Sequence, residues 1–184
     1  MAGTRFSAQL ANAALQLIAE SGLDSLTLSQ VAERAAVSRA TAYREFGDKD
    51  GLLSAVAQQE IATMTFAILG AVDLGAEPGN VVPAVVTAAL GYLRSHAAFT
   101  YVRENEPHWL LRAGLTVGDH RMNLVQTVAS LVAPTITAGP ALALDPLQAA
   151  EVVVRTVLSH TLIEGSALDD QQVAEAVVRA ITKR

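Results

Sequence analysis

The sequence predicts an all-helical protein. It has a three-helix helix-turn-helix unit at the N-terminus and a larger helical region behind it, about nine to ten helices in all. Three observations carry this reading. Apolar residues recur three and four apart along most of the chain, the period of an amphipathic helix. Capping residues punctuate the periodic stretches at Thr27, Ser38, Asp48 and Asp145. The 184 residues are 51% hydrophobic but only 4% aromatic, a core of Ala, Leu and Val that favours helix.

Taken in order, residues 5–21 form the first helix, with Phe6, Leu10, Ala13, Ala14, Leu17 and Ile18 on its inner stripe and Gly22 as the residue that ends it. Thr27 and Gln30 make a capping box, Thr-x-x-Gln, for a second helix over about 28–35. Ala36-Val37 is a tight break, and Ser38 caps a third helix running to Phe46. Gly47 stops that helix and Asp48 starts a long fourth one, 48–70. "LGAEPGN" separates the segments. Further helices are expected at 80–95, 98–105, 107–117 and 119–138, then, after the loop "AGPALALDP", at 146–164 and 170–182. Asp145 as N-cap with Pro146 at N1 marks one start, and Gly165 marks its stop.

Composition excludes several classes. Cysteine is absent, so no disulfide, zinc-thiolate site or cysteine nucleophile is available. His96, His108, His120 and His160 are scattered without metal-ligand spacing, and Glu104 and Glu106, two apart, point differently on a helix. No phosphate loop and no nucleophile elbow occurs. No catalytic residue, metal or cofactor is expected. The N-terminal stretch is amphipathic rather than a signal peptide, and the apolar "ASLVAPTITAGPALAL" is broken by Pro134, Gly139 and Pro140. A soluble, cytoplasmic protein is expected.

The net charge of -5 opposes nucleic-acid binding on average, as does the local balance: Arg5, Arg34, Arg39, Arg44 and Lys49 face Glu20, Asp24, Glu33, Glu45, Asp48 and Asp50 in residues 1–50. Placement decides more than the average. In "VSRATAYREF", Ala42 and Phe46 are four apart and turn inward with Val37. Ala40, Thr41 and Arg44 fall on the opposite side, with Arg39 and Tyr43 on a flank. Arginine can bond bidentately to guanine, Ala and Thr methyls can meet the thymine methyl, and a Tyr hydroxyl can reach phosphate. Arg39, Ala40, Thr41, Tyr43 and Arg44 are therefore the groove candidates, and Thr27, Ser38 and Lys49 the phosphate candidates. A solvated polar face is the competing reading.

The stretch "LTLSQVAERAAVSRATAYREFGDKDGLLSAV", 26–56, resembles the N-terminal domain of the tetracycline-repressor (TetR) family of bacterial regulators. Thr27, Val31-Ala32, Ala35, Val37-Ser38, Thr41, Tyr43, Phe46, Lys49 and Leu52-Leu53 fit its pattern in register, as do Phe6, Ala13-Ala14, Leu17 and "ESGLDSLTL". Two departures stand out: Ala36 where the family usually has glycine in the turn, and Ala42 where a larger aliphatic is usual. Alanine is tolerable at 36 if the local backbone stays near helical values.

The resemblance implies a homodimeric transcriptional regulator, usually a repressor, that leaves a palindromic DNA operator when a small molecule binds. It divides the chain into a DNA-binding domain, 1–47, and a ligand-binding and dimerisation domain, 48–184, with the fourth helix as lever. Met64, Phe66, Tyr92, His96, Phe99, Tyr101, His108, Trp109, Met122 and His160 are the effector-pocket candidates. The dimer would use the last two helices, whose apolar residues include Val153, Val157, Leu158, Leu162, Val173, Val177 and Ile181. The alternative is a helical small-molecule-binding protein or enzyme whose N-terminal domain does not read DNA.

Overall fold

The computed structural model describes residues 5–73, 76, 78–115, 124–136 and 142–183. Among them run ten helices: α1 (Arg5–Ser21), α2 (Leu28–Arg34), α3 (Arg39–Phe46), α4 (Lys49–Ala71), α5 (Pro78–Ser95), α6 (Ala97–Asn105), α7 (Pro107–Leu115), α8 (Leu124–Ile136), α9 (Pro146–Leu162) and α10 (Asp170–Ile181). The sequence-expected helix starts at 119–123, with His120 and Met122, lie outside the described residues. So do Gly139 and Pro140.

The caps account for the boundaries. Thr27 and Gln30 form a reciprocal capping box, as do Asp145 with Gln148 and Asp169 with Gln172. Each box satisfies two backbone donors that a helix start would otherwise leave bare. Asp48 Oδ1 accepts from Gly51 N–H at 2.8 Å and caps α4.

The chain packs as two compact units. The first is Met1–Thr63 with His96–Leu110, and the second is Met64–Ser95 with Leu111–Arg184. This packing division differs from a cut after residue 47: α6 and the first half of α7 cluster with α1–α3. The first unit is built on Leu10, Ala14, Ile18, Val31, Ala32, Ala42, Leu52 and Val56, joined by Ala98 and Val102 of α6. Ala42, the small residue of α3, is fully buried in this core.

The second unit is built on Ile68 of α4, Val86 and Leu90 of α5, Ala149, Val153 and Val157 of α9, and Val173, Ala174, Val177 and Ile181 of α10. Arg94 at the end of α5 bonds both carboxylate oxygens of Asp170 at the start of α10, at 2.8 and 2.6 Å. By length and composition α4 could cross a bilayer. Three of its apolar side chains are buried: Leu52 and Val56 in the first core and Ile68 in the second.

Candidate nucleic-acid interface

The turn between α2 and α3 is a Schellman motif. Val37 N–H donates to Ala32 O at 2.9 Å and Ala36 N–H to Glu33 O at 3.0 Å, which are the two reversed bonds of that cap. The motif needs a left-handed residue, and Ala36 supplies it with φ +53. The near-helical backbone that would make alanine easy to tolerate here is not the one adopted. The position keeps the conformation that glycine would provide, at a cost of about 1–2 kcal/mol for a side chain with a Cβ. The hydrogen-bonded turn over-determines it.

Ser38 then caps α3, its Oγ accepting from Thr41 N–H at 3.1 Å and lying 2.9 Å from Thr41 Oγ1. Ala42 is buried, and Phe46 and Val37 pack half-buried on the first core. The outer face carries Arg39, Ala40, Tyr43 and Arg44, with Thr41 half-buried at its edge. Tyr43 is 51% exposed although it is an aromatic side chain. Among the described residues no ion pair or hydrogen bond engages the guanidinium of Arg39 or Arg44. Arg34, by contrast, is taken up by a bidentate pair with Glu20, at 2.8 and 2.7 Å across the ends of α2 and α1. That hydrogen bond is the main reason the Glu20 carboxyl lies below its ordinary value.

Of the phosphate candidates, Thr27 is exposed with its hydroxyl on Gln30 Oε1 at 2.8 Å, and Ser38 is exposed in its cap. Lys49 is half-buried, its Nζ donating to Asp24 O at 3.1 Å and lying 5.8 Å from the Trp109 ring centre.

The effector candidates separate. His96, Phe99, Tyr101, His108 and Trp109 belong to the first unit; Met64, Phe66, Tyr92 and His160 belong to the second. Met122 lies outside the described residues. Phe66 is 79% exposed on the surface. His96 caps α6: its Nδ1 accepts from Phe99 N–H at 3.1 Å, which leaves Nε2 as the donor to Glu60 Oε2, 2.7 Å away. His108 and Trp109 face the α1–α2 turn, where Trp109 Nε1 donates to Asp24 Oδ1 at 2.8 Å and His108 Nε2 lies 3.4 Å from the same oxygen.

Of the residues predicted for the dimer face, Val153, Val157, Val173, Val177 and Ile181 lie in the protomer's own core, while Leu158 is half-buried and Leu162 exposed. Helix α10 turns its apolar stripe onto α5 and α9 and leaves Gln171, Gln172, Glu175 and Arg179 outside. The last two helices read as apolar on more than one face because α9 is central to the unit.

Sequence reasoning missed Asp24 and Glu106. Glu106 is 8% exposed and accepts backbone N–H groups from the α1–α2 turn. Nothing in its local sequence marks it, since its partners lie more than eighty residues away. Its neighbour Glu104 is exposed and pairs with Arg103.

The family model for "Bacterial regulatory proteins, tetR family" matches residues 10–56, the span of α1 to the first turns of α4. Residues 10–56 thus carry the tetR-family pattern. Within that span the chain is 52% identical over 48 residues to the HTH-type transcriptional regulator BetI of Burkholderia thailandensis, and equally to BetI of Burkholderia cenocepacia. The alignment covers 26% of this chain and 25% of the relative, so the match spans about a quarter of these proteins. The likeness of fold extends over nearly the whole chain. The repressor AlkX from Dietzia sp. superimposes with a TM-score of 0.70 at 19% identity, covering 95% of this chain and 91% of AlkX. The R. erythropolis repressor QsdR does so with a TM-score of 0.66, also at 19% identity, covering 97% and 96%.

Proposed function

We propose that this chain is a tetR-family DNA-binding transcriptional regulator, a repressor that a small-molecule effector releases from a palindromic operator. The observation that carries the reading is the outer face of α3, where two exposed guanidiniums stand without any partner among the described residues while the opposite face is locked into the core. Residues 1–47 would read DNA, with Arg39, Ala40, Thr41, Tyr43 and Arg44 at base edges and Thr27, Ser38 and Lys49 at phosphates. Residues 48–184 would bind effector and dimerise. BetI is named a transcriptional regulator, and AlkX and QsdR are named repressors.

The dimer brings two α3 helices to adjacent major grooves, about 34–36 Å apart. Because α10 spends its apolar stripe inside the protomer, the second copy pairs with α8 and α9, where Leu131, Leu147 and Leu162 are exposed. The effector lowers DNA affinity only as far as it prefers one dimer geometry over the other. A cytoplasmic location belongs to the same proposal.

Selection of bound fragments from the source genome tests this. The reading requires recovery of an inverted-repeat site whose affinity falls steeply with salt. A folded dimer that retains no fragment at low salt would overturn it.

A further inference from the structure

The α6–α7 corner holds the α1–α2 turn by a buried carboxylate. Glu106, the C-cap residue of α6, accepts Leu23 N–H on Oε2 at 2.6 Å and Asp24 N–H on Oε1 at 3.1 Å. These two N–H groups follow Gly22, whose φ of +81 ends α1. A Cβ at Gly22 would collide with the Glu106 carboxylate. The room left at Gly22 and the burial of Glu106 thus describe one seat. The corner itself is fixed: Glu106 N–H donates to Val102 O at 2.9 Å, and Glu106 O accepts Trp109 N–H at 3.1 Å.

Asp24 passes this constraint on. Its carbonyl receives Lys49 Nζ at 3.1 Å, and its carboxylate receives Trp109 Nε1 at 2.8 Å. The Lys49 ammonium also lies over the Trp109 ring, 5.8 Å from its centre, within reach of a cation–π attraction. A lysine ammonium has three donors, and the Asp24 carbonyl uses one. The carbonyl and the ring hold the head of a flexible four-carbon stem at the start of α4 and leave two donors for an anion. A free lysine must lose rotamer entropy when it meets a phosphate, whereas one already held loses less.

We propose that Glu106 is a positioning residue for DNA binding: it fixes the α1–α2 turn so that Asp24 and Trp109 hold the Lys49 ammonium ready for a backbone phosphate. The proposal rests on the DNA-binding reading above. Glu106 touches no DNA in it, and its influence runs through Lys49.

The test uses the full chain and a duplex recovered by the genomic selection. Binding is measured by fluorescence anisotropy over a salt series for wild type, Glu106→Ala, Lys49→Ala and the double variant. Glu106→Ala lowers affinity several-fold and reduces the slope of log affinity against log salt by about 0.9 per protomer, the signature of one lost phosphate contact. The double variant binds as Lys49→Ala does. Additive losses with an unchanged salt slope in Glu106→Ala would overturn the proposal while leaving DNA binding intact. If Glu106→Ala does not fold, Glu106→Gln replaces it. Its amide NH2 opposes one of the two N–H donors, and an intermediate loss is expected.

A second readout needs no DNA. Trp109 is the single tryptophan of the chain. Lys49→Ala shifts its emission in the wild-type background and leaves it unchanged in the Glu106→Ala background. Equal shifts in both backgrounds would show that Glu106 does not place Lys49. A wild type that binds no duplex defeats the DNA reading, and the emission comparison then decides the Glu106–Lys49 link by itself.

Discussion

Trp109 donates its indole N–H to the Asp24 carboxylate at 2.8 Å, joining the start of α7 to the turn between α1 and α2 across 85 positions of sequence. Both belong to the compact unit that contains the helix-turn-helix. That unit is therefore larger than the stretch the family model matches, and it reads its own integrity through a natural fluorophore.

Acid should be felt at this contact. The Asp24 carboxyl is held below its ordinary value of 3.8, first by the Trp109 hydrogen bond, with His108 and Lys49 adding their charge against some desolvation. A carboxyl depressed in the folded state contributes stability above its unfolded value and loses it as pH falls through the lower, folded value. Trp109 emission should show an acid step below the ordinary aspartate range. In Asp24→Asn that acid step should vanish. A step that persists in the variant would assign it to another group.

Ala36 stores strain that can be relieved. With φ at +53 it carries a Cβ where the Schellman turn favours glycine. Ala36→Gly should raise the urea midpoint, a gain of about 0.5–1 kcal/mol after the added freedom of the unfolded chain is set against it. A lowered midpoint would mean that the turn does not have this conformation.

Gly22 should behave oppositely, and its cost should depend on Glu106. Gly22→Ala meets both an unfavourable φ of +81 and the Glu106 carboxylate. A loss of about 2–4 kcal/mol is expected in the wild-type background, and only about 1–2 kcal/mol, the backbone part, in Glu106→Ala. Equal losses in the two backgrounds would place the carboxylate elsewhere.

Much of this was legible before any coordinates. The caps at Thr27, Ser38, Asp48 and Asp145 and the inward turn of Ala42 and Phe46 depend on residues three or four apart, which sequence spacing reports directly. What the spacing could not report is partner choice over distance. His108 and Trp109 read as effector-pocket candidates and Glu106 as an acid without a role, because their partners Leu23 and Asp24 lie far off in sequence. Ala36 misled for a different reason: alanine rarely adopts positive φ, and only the two reversed hydrogen bonds around it demand that conformation. Apolar count alone also cannot tell whether Val173, Val177 and Ile181 face a second copy or their own α5 and α9.

That last distinction can be measured. Ile181 is fully buried within the protomer. Ile181→Ala should cost about 2–5 kcal/mol of folding stability, the range for a buried large-to-small change, without altering the concentration at which dimers dissociate. Weakened dimerisation with unchanged unfolding would return Ile181 to an interface.

The central claim is that the outer face of α3 reads DNA, and Arg44 tests it most directly. Affinity for the selected duplex should fall by about 1–3 kcal/mol in Arg44→Ala, and the variant should lose discrimination at one base pair of each half-site. Unchanged affinity and unchanged base preference in a folded Arg44→Ala dimer would contradict the account.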